Sequence, residues 1–298
     1  MRVSYSPGYH APLPEGHVFP MKKFTGLYRY LISRRILSES NIVEPKPVDF
    51  AGLCTVHTPE YAEAVWNGTL DRKAVRRMGL PWSKGLAIRS RLAVQGTLNA
   101  GLMALQDGIA GNLAGGTHHA MPGYGEGFCV FNDVAVAIRV LKMSKWINKA
   151  LILDCDVHQG NGNAWFFQND PDVYTFSIHG EKNYPFRKPP SDFDIGLPDK
   201  TGDKQYLETL DKALGEVFSE FKPDIVFYLG GIDPLETDHF GRLSLSLKGM
   251  LEREKMVIET ITQKSIPLVL LLSGGYAPTI MQTVEAHALM YKVAMNKI

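Results

Sequence analysis

This sequence has few cysteines, no long apolar run and almost no net charge, and each of these features excludes a class of protein. The 298 residues include three cysteines, Cys54, Cys129 and Cys155, an odd number with no CxxC spacing, which argues against a disulfide framework. No apolar run approaches the ~20 residues of a membrane span. The opening residues also lack the basic-then-apolar order of a secretory signal. These features predict a soluble cytoplasmic protein without a membrane partner.

The charge balance and two missing motifs narrow the function further. The sequence has 32 basic and 31 acidic residues, a net charge of +1, which offers no electrostatic basis for a nucleic-acid partner. It contains neither a GxxxxGK phosphate loop nor a GxSxG nucleophile elbow, which disfavours nucleotide binding and serine hydrolysis. The glycines of MPGYGEGF follow two histidines rather than a strand, so they are a poor match to a dinucleotide-binding loop.

The composition is that of a protein with a substantial core. Apolar residues make up 45% of the chain and charged residues 21%, as in ordinary globular proteins. No repeat, low-complexity tract or linker divides the sequence, so we expect a single domain over residues 1–298, with a less regular first third.

Short apolar runs alternate with helical patterns through the rest of the chain. The predicted strands cover 111–114, 150–155, 173–178, 224–229 and 267–272, with another at 1–5. The predicted helices cover 22–37, 132–143, 161–168, 203–220, 247–263 and 278–295. Because the runs are too apolar for a sheet with one wet face, the pattern predicts an α/β fold with a mostly parallel sheet and helices on both faces.

Polar residues follow five of these strands in succession. They are His118 and His119, then Asp154, Asp156 and His158, then Ser177 and His179, then Asp233, and finally Tyr276. In an open parallel α/β sheet, ligands bind beyond the carboxyl ends of the strands. We therefore expect these side chains to meet at one edge of the sheet.

The stretch LDCDVHQGNG predicts a metal site. In an extended chain side chains alternate, so Asp154, Asp156 and His158 project from one face. Two carboxylates there would repel each other unless a cation neutralises them, and Asp and His ligands suit Zn²⁺ or another first-row divalent ion. Asp233 is the candidate third ligand. The alternatives are a salt-bridged strand end for Asp156 and His158 and a turn or helix-capping role for Asp233.

The remaining polar residues suit proton transfer. The adjacent His118 and His119 lie in a glycine-rich turn, and Asp154 could fix the tautomer of one imidazole. The hydroxyl of Tyr276, in SGGYA, could donate to a developing oxyanion. The alternative for Tyr276 is a half-buried tyrosine whose polar tip reaches the surface.

These stretches together resemble the histone deacetylase family. GGTHHA, GFCVFND, LDCDVHQGNG, GGID and SGGY occur in the family's order and cover most of the chain. The resemblance implies an arginase/deacetylase-like three-layer fold. It implies that Asp156, His158 and Asp233 bind zinc, with Fe²⁺ or Co²⁺ as alternatives. It also implies proton transfer by His118 and His119, support of His118 by Asp154, and carbonyl polarisation by Tyr276.

The resemblance extends to the substrate tunnel and to a second cation. Gly127 and Phe128 match one wall of an acyl-lysine tunnel, and Tyr184 is the candidate for the opposite wall. The segment HVFPMKKF could shape its inner end. The family also implies a K⁺ site at Asp154, Asp156, His158 and Ser177. Asn161 stands where class I members carry an aspartate, so the sequence is similar to class IV and its bacterial relatives.

The resulting prediction is a metal-dependent amidohydrolase that removes acetyl or longer acyl groups from lysine ε-amines. An acetylated polyamine or another small acylated amine would fit the same chemistry. An arginase-like hydrolase needs further metal carboxylates, which Asn161 and the single aspartate of GGID do not supply. A non-catalytic acyl-lysine binding protein would not need both histidines, three ligands and Tyr276. No oligomeric state is predicted.

Overall fold

Eight parallel strands form one sheet in the order β2-β1-β3-β8-β7-β4-β5-β6. The structure is a computed structural model that describes residues 1–297, so only Ile298 of the predicted domain lies outside it. The strands are β1 (Arg2–Ser4), β2 (Ile42–Val43), β3 (Ile109–Asn112), β4 (Ala150–Asp154), β5 (Val173–Gly180), β6 (Phe193–Leu197), β7 (Ile225–Leu229) and β8 (Leu268–Leu271). The α/β class and the parallel sheet are therefore confirmed.

Helices cover both faces of the sheet, as predicted. They are α1 (Lys23–Ser33), α2 (Phe50–Leu53), α3 (Pro59–Asn67), α4 (Arg72–Met78), α5 (Lys84–Asp107), α6 (Asp133–Met143), α7 (Asn161–Phe167), α8 (Asp203–Glu220), α9 (Leu247–Gln263) and α10 (Ile280–Ala294). On β4, Leu151 and Leu153 belong to the core shared with α8, α9 and α10, whereas Ile152 belongs to the core shared with α5 and α6. Successive strand residues thus point into two separate layers.

The long helix α5 is the main element that the sequence pattern did not predict. Its 24 residues make the expected irregularity of the first third wrong for this segment. The helix packs on β1, β3, β7 and β8 and also on α6. Because it is buried on several sides, it carries small and apolar residues all round and lacks a clear amphipathic stripe. The short strands β2 and β6 were also missed, and both lie at the edges of the sheet.

Other helix and strand boundaries differ from the predicted ones by a few residues. Helix α1 ends at Ser33 rather than at residue 37, and the left-handed Arg35 (φ 55°) follows it. Strand β3 begins at Ile109, two residues before the predicted run, directly after the Gly108 cap of α5. Asn132 caps α6 as expected, with its side chain accepting from Ala135 N.

The carboxyl ends of β3, β4, β7 and β8 lie side by side at the centre of the sheet. These four strands lead into the segments that begin with Leu113, Cys155, Gly230 and Leu272. The loops after β3, β4, β7 and β8 therefore leave the same edge, whereas Ser177 and His179, which were predicted to follow a strand, lie within β5. None of the helices in residues 1–297 is long and apolar enough to cross a membrane.

Candidate active site

Asp156, His158 and Asp233 converge on one point beyond the ends of β4 and β7. Each offers one ligand atom, and these atoms all lie within 4.8 Å of one another. His158 Nδ1 is 3.0 Å from Asp156 Oδ1 and 3.2 Å from Asp233 Oδ2. Both carboxylates are fully buried. The alternation predicted for this segment is present, because Cys155 and Val157 pack into the opposite core.

Hydrogen bonds from the loop after β8 hold the Asp156 carboxylate in place. Its Oδ2 accepts from Ser273 Oγ at 2.8 Å and from Gly274 N at 2.7 Å. Only glycine fits at position 274, because a Cβ there would lie 2.0 Å from Asp233 Oδ2 and 2.6 Å from Asp156 Oδ2. The glycine of SGGY thus lets the backbone approach both carboxylates.

Asp233 is positioned by the backbone of the β4 loop. Its Oδ1 accepts from Val157 N at 2.9 Å, which leaves Oδ2 facing His158. Burial, followed by the negative charge of Asp156, raises the pKa of Asp233 to about 7. Two buried carboxylates this close to each other carry an electrostatic cost that a cation would remove.

The donor set fits a single divalent ion. Burial alone would lower the pKa of His158, but hydrogen bonds to Asp156 and Asp233 raise it to about 10. The imidazole therefore carries positive charge at the place where the two carboxylates meet. One nitrogen and two oxygen ligands leave a coordination position for water or substrate, as at catalytic metal sites.

His118 pairs with Asp154 at the inner end of the site. His118 Nδ1 lies 2.7 Å from Asp154 Oδ2, and both side chains are buried. Burial would lower the pKa of His118, but Asp154 and Asp156 outweigh it and raise the pKa to about 9. His118 is therefore protonated at neutral pH.

His119, in contrast, is a neutral imidazole. Burial, followed by the positive charges of His118 and His158, holds its pKa well below the ordinary histidine range. Its Nδ1 lies 2.6 Å from Asn161 Oδ1, at the start of α7. The two adjacent imidazoles thus differ in proton affinity, as expected where one group accepts a proton and the other stays charged.

Tyr276 closes the site from the loop after β8. Its backbone N donates to Asp238 Oδ2 at 2.6 Å, and its ring packs against Phe240 with centroids 4.9 Å apart. Burial, followed by Asp233 and Asp156, raises the pKa of Tyr276 well above the usual phenol value. The phenol therefore keeps its proton and can donate a hydrogen bond.

One cavity contains most of these groups. Its lining includes His118, His119, Asp156, His158, Tyr276 and Phe128. The left-handed Gly127 (φ 56°) and Phe128 (φ 65°) turn the Phe128 ring toward Tyr276, with centroids 5.8 Å apart. Tyr184 lies next to His119, with its ring edge-on to the imidazole at 5.0 Å between centroids. Phe19 and Phe24, from the segment at 17–24, also line the cavity.

The residues expected at a monovalent-cation site lie around the ends of β4 and β5. Asp154 and Ser177 are direct partners in the register of these two strands. Asp154 Oδ1 accepts from Asp156 N at 3.0 Å, and Ser177 Oγ bonds His179 Nδ1 at 2.9 Å. Asp154 is therefore a direct neighbour of both Asp156 and Ser177.

Several residues of the site were not predicted from the sequence. Lys23 is buried and its Nζ donates to Ser273 O at 3.1 Å, while burial lowers its pKa to about 8. Its position on the same helix face as Phe24, Leu27 and Leu31 could have indicated from the sequence that this lysine is buried. Asp238 accepts from Tyr276 N, Phe240 N and Gly241 N, which no local pattern predicted. Glu126 lies next to Asn161 and was hidden in the glycine-rich turn.

Comparisons with known proteins identify the family of this chain. The family model for the histone deacetylase domain matches residues 17–291. An uncharacterised protein of Picosynechococcus sp. is 44% identical over 99% of this chain and 98% of its own length. The acetoin utilization protein AcuC of Bacillus subtilis is 32% identical over 82% of this chain and 68% of its own length. Histone deacetylase 2 of Arabidopsis thaliana is 30% identical over 87% of this chain and 70% of its own length.

Solved structures show the same fold. An HDAC homolog complexed with SAHA superposes with a TM-score of 0.86 at 24% identity, covering 100% of this chain and 84% of that one. An HDAC homolog from Aquifex aeolicus gives a TM-score of 0.85 with the same coverage. The deacetylase-like architecture expected from the motifs is therefore confirmed. The domain match spans nearly the whole chain, and the chain belongs to the histone deacetylase family.

Proposed function

We propose that this protein is a metal-dependent deacylase that hydrolyses the amide bond between an acyl group and an amine. The observation that carries the proposal is a two-aspartate, one-histidine ligand set, of which Asp156 and His158 share a cavity with a neutral histidine and a protonated tyrosine. Its membership of the histone deacetylase family supports deacetylase chemistry. Its relatives named histone deacetylase 2 and AcuC are consistent with it.

Asp156, His158 and Asp233 would hold the divalent ion, which when bound supplies Lewis acidity for water activation and carbonyl polarisation. The Nδ1 of His119 faces Asn161, which leaves Nε2 as the basic nitrogen. Because this imidazole is neutral at working pH, Nε2 can take the proton of the attacking water and later deliver it to the leaving amine.

His118 and Tyr276 would stabilise the charge that develops during attack. His118 stays protonated beside Asp154 and contributes a fixed positive charge. The Tyr276 hydroxyl donates to the oxygen of the tetrahedral intermediate, and its high pKa keeps that proton available. Each residue therefore has one task, and the proton passes through His119 alone.

The preferred substrate is an acylated lysine side chain. Phe128 lines the cavity and Tyr184 lies beside His119, so we infer that the two rings would flank a narrow aliphatic chain that leads to the ligand set. Gly127 contributes its backbone to the same wall, because a Cβ there would lie 2.6 Å from His119 Cδ2. An acetylated polyamine has a similarly slender shape and is the second substrate class to test.

The decisive experiment compares substrates on the metal-reconstituted protein. Acetyl, butyryl, decanoyl and myristoyl lysine peptides and acetylpolyamines would be assayed after loading with Zn²⁺, Fe²⁺ or Co²⁺. We expect metal-dependent turnover, abolished by chelation, with zinc as the expected metal. No turnover on any substrate with any metal would refute the proposal and favour a protein that only binds acyl-lysine.

Metal stoichiometry separates the proposal from an arginase-like dinuclear hydrolase. Residues 1–297 contain a single cluster of three ligand residues, so we expect one divalent ion per chain. A ratio near two metal ions per chain would favour the dinuclear hydrolase.

The neutral Asn161 beside His119 supports a class IV-like member. We also propose a K⁺ ion near Asp154 and Ser177, which a dependence of turnover on KCl would test. The free cysteines support a cytoplasmic location.

A further inference from the structure

Glu126 makes a close contact behind the site, with the partner of His119. Its Oε1 accepts from Asn161 Nδ2 at 2.6 Å, while Asn161 Oδ1 lies 2.6 Å from His119 Nδ1. Asn161 and His119 are each 4% exposed, so water does not compete freely for these atoms. The three side chains form a continuous chain of hydrogen bonds, although Glu126 and Asn161 are 35 residues apart in sequence.

The direction of these hydrogen bonds follows from the chemistry of the three groups. A carboxylate offers only acceptors, whereas an amide has one donor end and one acceptor end. Glu126 therefore selects the amide orientation in which Asn161 Nδ2 faces the carboxylate. The opposite orientation would place the amide oxygen against a carboxylate oxygen at 2.6 Å. With Nδ2 committed, only Oδ1 is left to face His119.

The amide oxygen in turn selects the tautomer of His119. Oδ1 accepts hydrogen bonds only, so His119 Nδ1 must carry the ring proton, and Nε2 keeps its lone pair. If the amide were reversed, Nδ2 would donate to Nδ1, and the proton would move to Nε2. That tautomer cannot accept a proton at Nε2. The charge of Glu126 thus decides whether His119 can act as a base.

We propose that Glu126 is a positioning residue that fixes the Asn161 amide and thereby holds His119 in its Nδ1-protonated, catalytically competent tautomer. This inference rests on the proposed function, in which His119 is the base. It gives the neutral Asn161 a defined orientation that the amide alone would not have, since an asparagine can reverse at little cost when both of its neighbours accept either end.

Glu126 also interacts with Tyr184, and the experiment must distinguish an effect through Tyr184 from an effect on the His119 tautomer. Burial, followed by the charge of Glu126, raises the pKa of Tyr184 above the usual phenol value. Glu126 could therefore support only the tunnel wall at Tyr184. A wall defect changes substrate binding and appears in KM, whereas a wrong tautomer removes the base and appears in kcat.

A charge-exchange cycle tests the proposal on the metal-loaded enzyme. In Glu126→Lys the ammonium only donates, so it should attract Asn161 Oδ1 and reverse the amide. We expect kcat to fall about 100-fold with KM within about threefold, in line with the loss of a general base. Asn161→Asp alone should lose less, about tenfold, because the new carboxyl group still accepts from His119 Nδ1 although one of the two touching carboxyl groups must take a proton.

The two changes together should restore activity. In the double variant Glu126→Lys with Asn161→Asp, the new carboxylate accepts from both the lysine and His119 Nδ1, so kcat should return to within about fivefold of wild type. Glu126→Gln should lose only two- to threefold, because two amides can pair in either orientation. Glu63→Lys, on the exposed face of α3, is the charge-matched control and should leave kcat unchanged.

Two kinetic results would overturn the proposal. The first is a Glu126→Lys variant that changes KM alone or keeps kcat within twofold of wild type. The second is a correctly folded double variant that is no faster than the slower single variant. Circular dichroism and zinc stoichiometry on all four proteins would establish that they are folded and loaded.

A readout that needs no turnover completes the test. In metal-free protein with ¹⁵N-labelled histidine, the His119 signals, assigned by their loss in His119→Gln, should show a protonated Nδ1 in wild type and a protonated Nε2 in Glu126→Lys. If wild type already has its proton on Nε2, the proposal fails even if the enzyme is active. If the tautomer changes as expected but no substrate is turned over, the proposed function fails instead.

Discussion

His118 and Asp154 form a buried pair in which His118 Nδ1 lies 2.7 Å from Asp154 Oδ2. The carboxylate overcomes the effect of burial and raises the pKa of His118 to about 9. The pairing with Asp154 therefore favours the charged form of His118, in contrast to the neutral His119 beside it. This difference in charge divides the work of the histidine pair and leads to the first prediction.

Asp154→Asn should lower kcat about 100-fold, within the range for loss of acid–base or electrostatic assistance. The amide cannot stabilise an imidazolium, so the pKa of His118 should fall and its positive charge should be lost at neutral pH. Steady-state kinetics from pH 5 to pH 9 would measure this. A variant with wild-type kcat at all pH values would contradict the assigned charge of His118.

Tyr276→Phe should lower kcat about 10²- to 10³-fold, the usual cost of removing one oxyanion donor. The ring would still pack against Phe240 and Phe128, so KM and metal affinity should change little. Kinetics and zinc titration on the same preparation would separate the effects. A loss that appears mainly in KM would show that the hydroxyl serves substrate binding instead.

The site residues that could be predicted from the sequence are those marked by patterns of a few neighbouring residues. Strand ends with polar residues located Asp156, His158, Asp233 and Tyr276, because parallel strands bring their carboxyl ends to one edge. Alternation along an extended chain placed Asp156 and His158 on the same face. Both rules need only a few neighbouring residues, and the motifs of the family added a role for each position.

Signals that depend on distant partners were not visible. Helix α5 is buried on several sides, so it has no polar face to reveal its period. Glu126 acquires its importance from Asn161, which arrives from the start of α7. Lys23 is buried because a loop 250 residues away offers Ser273 O. Only the folded chain shows which charged residues are desolvated.

Gly274→Ala should weaken zinc binding about 10- to 100-fold, the usual range when groups that orient metal ligands are disturbed. The new Cβ would lie within 3 Å of oxygens of both Asp156 and Asp233, so the ligand carboxylates must separate. Competition with a fluorescent zinc chelator would measure the affinity. Gly123→Ala, where a Cβ has open space around it, is the matched control and should bind zinc normally.

Metal binding should release about one proton per site between pH 8 and pH 9, where Asp233, with a pKa of about 7, is already ionised. His158 has a pKa of about 10 in the metal-free protein, so its imidazole is protonated, yet a metal needs the Nδ1 lone pair. Zinc affinity should therefore rise about tenfold per pH unit between pH 8 and pH 9. Calorimetry in buffers of different ionisation enthalpy would count the protons. An affinity independent of pH would show that His158 is neutral before the metal binds.

His57 should make the protein less stable in mild acid. Its imidazole is buried, with Nε2 accepting from Asn132 N at 3.0 Å and Nδ1 facing Met121 O at 3.1 Å. Burial lowers its pKa to about 4. Between pH 4 and about pH 6.5, His57 is therefore neutral in the folded state but protonated in the unfolded chain. Stability is therefore intact above pH 6.5 and decreases as the pH falls toward 4.

The size of this effect follows from linkage. Between pH 7 and pH 5, His57 alone should remove about 2 kcal/mol from the free energy of unfolding. Urea denaturation of the metal-free protein at both pH values would measure the loss. In His57→Gln the difference between pH 7 and pH 5 should shrink by that amount, because glutamine does not titrate. The exposed His10→Gln should keep the wild-type difference. Equal pH dependence in wild type and His57→Gln would mean that His57 accepts its proton without unfolding the chain.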